Sequence, residues 1–197
     1  MWADFYFWKS GDIMDQITEF DMAVLHFLHD KLSCGVMDFL MPLFTCLTEM
    51  GAVWLIAALL FLVFRKYRGS AAIAGGLLSS LLVGNLLLKH LVARPRPCWI
   101  EPGFPMLIAV PQDFSFPSAH SMASFAAAVA IFHYNRRFGI AALAVAAIIA
   151  FSRLYLFVHF PTDVLAGSLI GAGLGIASFV VTDRLADRIA KNRASRE

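Results

Sequence analysis

Residues Ser152 to Val181 read SRLYLFVHFPTDVLAGSLIGAGLGIASFVV. Val164 to Val181 carries no charge and approaches the roughly 20 apolar residues a helix needs to cross a bilayer. Upstream, Phe138 to Val158 is apolar apart from a few polar positions, Ser152 and Arg153 among them. The two runs meet at a short turn, His159, Phe160, Pro161, Thr162 and Asp163. Pro161 suits the first position of a helix, where a missing N–H costs nothing. Asp163 then falls in the first turn, where the helix dipole favours a carboxylate. The unit is a pair of membrane helices joined by a polar turn at one surface.

Composition agrees with that unit. Of 197 residues, 59% are hydrophobic and 15% charged, with mean hydropathy +0.71; soluble domains carry about 25% charge. A net charge of +2 gives no support to a nucleic-acid partner. Because lipid covers the outer face, one membrane-embedded domain over 1–197 needs no large water-excluded core.

Further spans follow outward from this pair. Ala52 to Phe64 reads as the first crossing and ends at Arg65, Lys66 and Arg68. Ala71 to Leu88 is the second and runs into Lys89, His90, Arg94 and Arg96. A loop with Pro95, Pro97, Pro102, Pro105 and Pro111 breaks regular structure until Ser118. Ser121 to Phe132 is the third crossing, and the two opening runs are the fourth and fifth. Gly167, Gly171, Gly173 and Gly175 predict close helix packing in the fifth. Val36 to Leu47 is too short to span and is interrupted by Pro42, Glu49, Met50 and Gly51, so it reads as a re-entrant or tilted lead-in, or as a sixth crossing. Phe20 to Leu32 is amphipathic, which makes 1–35 an N-terminal interfacial segment. Met1 to Glu19 mixes aromatics with Asp4, Lys9, Asp12 and Asp15, unlike a cleavable leader. The expected fold is all-α, a polytopic transmembrane bundle of about five spans plus that interfacial helix.

Short loops rich in Lys and Arg stay in the cytoplasm. Arg65 to Arg68, Arg136 with Arg137, and a 183–197 tail holding Arg184, Arg188, Lys191, Arg193 and Arg196 all fall on one side with five crossings. The proline-rich loop and the His159 turn then face outward. Cys34, Cys46 and Cys98 lack metal or redox spacing and read as small buried apolar residues. Trp99, Phe104, Phe114 and Phe116 read as membrane anchors.

Charge at a span end is costly unless it has a partner or a task. Lys89, Arg94, Arg96, Ser118, His120, Arg153, His159 and Asp163 all lie at or beside span ends on the outer side. Arg94 reads as a snorkelling side chain. Ser118 follows Pro117 and precedes an apolar helix, so it is placed as an N-cap whose successors offer unpaired N–H groups, a geometry that suits phosphate. A carboxylate reaching one ring nitrogen of His159 would fix its tautomer and leave the other free to attack.

Together these positions resemble the type-2 phosphatidic acid phosphatase superfamily, whose signature is K-x6-RP, PSGH and SR-x5-H-x3-D. Lys89 through Arg96 and Pro97 give the first part, Pro117, Ser118, Ala119 and His120 the second, and Ser152, Arg153, His159 and Asp163 the third. Ala119 replaces the usual Gly. The resemblance implies that His159 is the nucleophile, that Asp163 orients it, and that His120 protonates the leaving oxygen and later activates water. It implies that Lys89, Arg96, Ser118, Ala119 and Arg153 hold the phosphoryl group without a metal or other cofactor. Phosphoryl transfer needs charge neutralisation and in-line positioning, which fixed cations supply. The expectation is a bacterial plasma-membrane enzyme with an extracytoplasmic site and a cytoplasmic C-terminus. Its expected partners are membrane lipids and a lipid phosphate or diphosphate substrate, undecaprenyl diphosphate first. Phosphatidylglycerophosphate or phosphatidic acid, transfer to a hydroxyl instead of water, and anion binding without catalysis stand as alternatives. No spacing specifies an oligomeric state.

Overall fold

The computed structural model describes residues 12–46 and 51–195. The leader reading at Met1, the break at Glu49 and Met50, and the Arg196 charge lie outside the described residues. Among the described residues there is no strand. The helices are α1 (Asp12–Leu32), α2 (Gly35–Cys46), α3 (Ala52–Val63), α4 (Tyr67–Ser80), α5 (Lys89–Val92), α6 (Pro97–Ile100), α7 (Ala119–Tyr134), α8 (Arg136–Tyr155) and α9 (Pro161–Ala194). A π-helical stretch, Leu81–Leu88, joins α4 to α5 without a break in the rod.

Among the described residues, three helical segments are long and apolar enough to cross a membrane: Tyr67–Ile100, Arg136–Tyr155 and Pro161–Ala194. This is an integral membrane protein. Two expected crossings fall short of the roughly 20 residues that a helix needs to cross a bilayer. α3 has 12 residues, entered through left-handed Gly51 and ended before Arg65, whose φ is also positive. α7 has 16 residues and begins only after the rigid loop has delivered Ser118. α7 is also sheltered: Met122, Ala126, Ala127, Ala128 and Ala130 are fully buried among α4, α8 and α9.

Small residues permit that burial. A Cβ on Gly171 would lie 2.2 Å from the Met122 carbonyl oxygen, and one on Gly175 2.5 Å from that of Ala126. Gly167 stands equally close to Ser118, at 2.6 Å from its carbonyl oxygen. These three, four residues apart, line one face of α9 and let the backbones approach. Gly173, expected to join them, faces open space.

Two apolar clusters hold the bundle. One fills the space among α3, α4, α7 and α8 around Trp54, Phe61, Ile73 and Ile149. The other joins α1, α2 and α6 to the turn after α8 through Leu25, Met41, Cys98, Phe157 and Phe160. α1 is thus docked on the bundle and is more than an interfacial float. Elsewhere leucines such as Leu59, Leu86 and Leu169 are exposed, as lipid-facing side chains must be. Cys98 is buried as expected, but Cys34 and Cys46 are exposed, because one lies between α1 and α2 and the other ends α2. The loop aromatics pack inward: Phe104 stacks on Phe157 at 3.8 Å, and Trp99 meets Phe114 edge-on while donating to the Pro111 carbonyl at 3.0 Å. They pin the loop onto the turn.

Candidate active site

The rod of α4, the π-helical stretch and α5 delivers Lys89, then stops where Ala93 takes a left-handed conformation at φ 49. That reversal aims Arg94 and Arg96 back at the bundle, and both are buried. α8 ends in a similar bend, with Phe157 at φ 57 two residues before His159. Left-handed backbone is unfavourable for residues with a Cβ and occurs where surrounding packing enforces it. Here the chain accepts it twice, beside the two polar segments that must converge.

His159 is 1% exposed. Its Nε2 lies 3.2 Å from Arg96 Nη1, a donor, so Nε2 carries the lone pair. Its Nδ1 faces Ser115 Oγ at 3.4 Å and Asp163 Oδ2 at 3.8 Å. Ser115 donates to Asp163 Oδ2 at 2.5 Å, leaving its oxygen to accept the Nδ1 proton. Burial pushes the His159 pKa well below its ordinary value, and the charges of Arg96, Arg153 and Lys89 push it the same way. The ring is therefore neutral, protonated on the carboxylate side and unprotonated on the cation side.

Asp163 is held at every lone pair that matters. Oδ2 also accepts the Phe160 N–H at 3.0 Å, and Oδ1 accepts Arg94 Nη1 at 2.7 Å. Arg94 does not snorkel. It donates to Asp21 Oδ2 on α1 at 2.8 Å and to Thr162 Oγ1 at 2.7 Å, and its guanidinium lies 3.9 Å from the Phe160 ring centroid. Asp21 in turn accepts from the Thr162 N–H at 3.3 Å and from the Thr162 hydroxyl. A buried guanidinium is stable only with partners of this kind, and two carboxylates supply them.

Lys89 and Arg96 share one acceptor, the loop residue Asp113. Lys89 Nζ donates to its Oδ2, Arg96 Nη2 to its Oδ1 at 2.7 Å and Arg96 Nε to its carbonyl at 2.6 Å. Partial burial alone would raise the Asp113 pKa, but the Arg96 and Lys89 charges win and hold it well below the usual carboxylate range. Arg96 Nη1 also donates to the Val158 carbonyl at 2.7 Å, which fixes the fork against the His159 turn.

The remaining expected residues stand close by. Arg153 donates to Thr45 Oγ1 at 2.7 Å. Ser118 occupies the N-cap position, but its side chain makes no cap bond and instead accepts from Ser121 Oγ at 3.0 Å. Its N–H donates to the Asp163 carbonyl at 3.2 Å, tying the second motif to the third. His120 and Ala119 open α7 and line a neighbouring cavity, and His120 is near enough for its charge to act on His159. Asp21, Asp113, Ser115 and Thr162 escaped the reading of the sequence. The one available sign was at Asp21, which shares a helix face with the apolar Val24, Leu25 and Leu28.

A cationic cradle beside an oriented, neutral histidine is chemically able to hold and accept a phosphoryl group. Comparisons with known proteins place the chain in a family. Undecaprenyl-diphosphatase of Sulfolobus acidocaldarius is 28% identical over 129 residues, 64% of this chain and 62% of the relative. The undecaprenyl-diphosphatase BcrC of Bacillus subtilis is 30% identical over 134 residues, 68% of this chain and 66% of the relative. Among solved structures, Aquifex aeolicus LpxE superposes with a TM-score of 0.70 at 24% identity, covering 80% of this chain and 93% of its own, a likeness of fold. The model of the PAP2 superfamily matches residues 69–187, more than half of the chain, and the chain belongs to that superfamily.

Proposed function

We propose that this chain is a lipid phosphatase in which His159 attacks the terminal phosphorus of a lipid phosphate or diphosphate. The observation that carries the reading is the polarity of the His159 ring, with its lone pair toward Arg96 and its proton toward Ser115 and Asp163. Lys89, Arg96 and Arg153 neutralise the phosphoryl oxygens, with help from Ser118 and the N–H groups opening α7. Burial and the charges of Arg153, Lys89 and Arg96 hold the His120 pKa down. His120 therefore takes up its proton once the bound phosphate offsets those cations, and gives it to the leaving oxygen as the Nε2–P bond forms and the P–O bond breaks. Ser115 and Asp163 stabilise the positive ring. In the second step His120 takes a proton from water, the water oxygen bonds to phosphorus, and neutral His159 leaves.

The substrate we favour is undecaprenyl diphosphate, supported by the names of the relatives above and by a site at the rim of a lipid-facing bundle. Glycerophospholipid phosphates are the competing class. An extracytoplasmic site is supported by the charges. Arg68 ion-pairs with Asp187 of α9 at 2.8 Å, and Tyr134, just before Arg136, bonds Asp183 at 2.8 Å. The positive clusters thus share the end of the bundle remote from His159. The test is a panel of isoprenoid diphosphates and glycerophospholipid phosphates in detergent, run with wild type and His159→Ala. Turnover of lipid phosphate by His159→Ala at the wild-type rate defeats the mechanism, and a preference for glycerophospholipid phosphates defeats the choice of lipid.

A further inference from the structure

Beside His120 lies a cavity of about 390 Å³, bounded by α3, by α4 with its π-helical continuation, and by α7. Lys89, Arg96, Arg153 and His159 are not among its lining residues. Most of its wall is apolar, and Leu55, Leu78 and Leu81 at its edge are also exposed outward. In a membrane chain that outward face meets hydrocarbon, so the cavity opens sideways to lipid.

Two polar atoms in this apolar wall have no hydrogen-bond partner among the described residues: His120 Nε2 and Asn85 Oδ1. Burying an amide oxygen without a partner is unfavourable, so its persistence in the wall calls for an explanation. The proposed mechanism uses His120 and leaves Asn85 without a task. Asn85 sits in the π-helical stretch four residues before Lys89, and π-helical turns concentrate at functional sites.

Geometry supplies the task. In an in-line displacement the breaking bond points away from the attacking nitrogen. The leaving oxygen must meet His120, so whatever that oxygen carries enters the cavity that His120 lines. In a diphosphate it carries a second phosphate with its own acceptor oxygens. In a monoester it carries carbon. We propose that Asn85 reads this difference: its side-chain amide donates to the phosphate that departs with the lipid, and the site thereby selects a diphosphate over a monoester. The cavity beyond holds the first part of the apolar chain, and the remainder stays in the bilayer. A primary amide presents either an oxygen or two N–H donors, so rotation supplies the donor. A neutral donor also binds the departing phosphate less tenaciously than a further cation would. A site built to hydrogen-bond one group discriminates strongly against an analogue that lacks it. This inference rests on the phosphatase reading above.

The test compares farnesyl diphosphate with farnesyl monophosphate as substrates of the purified full chain in detergent. Asn85→Leu, similar in size and without a donor, is expected to lower kcat/KM for the diphosphate about tenfold to a hundredfold, as loss of a hydrogen bond to a charged group does. For the monophosphate it is expected to stay within about threefold of wild type, because no partner is lost. Asn85→Ser keeps a shorter donor and should give an intermediate ratio; if Asn85→Leu does not fold, that ratio decides. Equal loss on both substrates, or no loss on either, overturns the proposal. Wild-type turnover of neither substrate defeats the phosphatase reading, and this inference with it.

Discussion

Two clusters of arginine and aspartate mark the two ends of the bundle. At one, Arg94 is 4% exposed and lies between Asp21 and Asp163, both fully buried. At the other, Arg68 is 48% exposed, with Asp183 at 30% and Asp187 at 60%. The functional groups and the best distances, 2.7 to 2.8 Å, are alike. Their surroundings differ, and that decides what each pair can do. In water the exposed charges of Arg68, Asp183 and Asp187 gain little over solvation and are screened by salt. In the bundle, removing one partner strands a charge that nothing else can solvate. The buried cluster is therefore a scaffold that holds Asp163 against His159, whereas the exposed one trims the stability of a helix end.

The largest effect that would sharpen this contrast is on activity. Asp163→Asn keeps the shape but removes the charge facing Nδ1, and should lower kcat by roughly a thousandfold or more while the protein stays folded, as loss of a histidine-orienting carboxylate does elsewhere. A loss under tenfold would break the assignment. Next comes stability. Arg94→Met leaves Asp21 and Asp163 buried without a cation and should cost about 3–5 kcal/mol, read as a large fall in Tm in detergent. Adding Asp21→Asn should recover part of that loss; if it deepens the loss instead, Asp21 is not the counter-charge.

A smaller effect concerns Asp113, which meets the same two cations that the proposed phosphate would. Asp113→Asn should tighten competitive inhibition by inorganic phosphate about threefold to tenfold at pH 7, because a neutral amide competes less well for Lys89 and Arg96. The sign with pH follows. The Asp113 pKa is lowered, so its contribution is complete above about pH 4, the unfolded carboxyl value, and fades only as pH falls through its lower folded value. The difference between variant and wild type should thus hold steady from pH 7 to about pH 5. Convergence of the two within that range would show that Asp113 titrates normally. The smallest effect is at the exposed cluster, where Arg68→Ala should cost under about 1 kcal/mol and less still in high salt. A cost comparable to that of Arg94→Met would erase the distinction between the two ends.

Much of the candidate site was legible because its residues keep short, regular spacings. Lys89 to Arg96 and Arg153 to Asp163 each fit within one helix end and its turn, so spacing brings them to one level. What was hidden depends on contacts across the chain. Asp21 reaches Arg94 over 73 positions, and Ser115 reaches Asp163 over 48. Hydropathy alone assigns Arg94 to the interface, since nothing local reveals the two carboxylates that cover it. Helix bounds came close, with α3 beginning at Ala52 as read and α7 two residues before Ser121. Apolarity marks what tolerates lipid, but where α3 and α7 begin is set by Gly51 and by the loop that places Ser118. The π-helical stretch at Asn85 leaves no compositional trace.

α9 also works as a depth gauge. Its 34 residues extend about 51 Å at 1.5 Å per residue, against a hydrocarbon layer of about 30 Å. Arg184, Asp187, Arg188, Lys191 and Arg193 cannot enter that layer, so they stop the rod from sliding toward the His159 end. Asp163, in its first turn, stops it from sinking the other way. The uncharged run from Val164 to Val181 covers about 27 Å, close to the layer it must fill, so its residue count sets the height of His159 above the acyl chains. Length, as much as side-chain chemistry, thus sets the depth at which the ring sits.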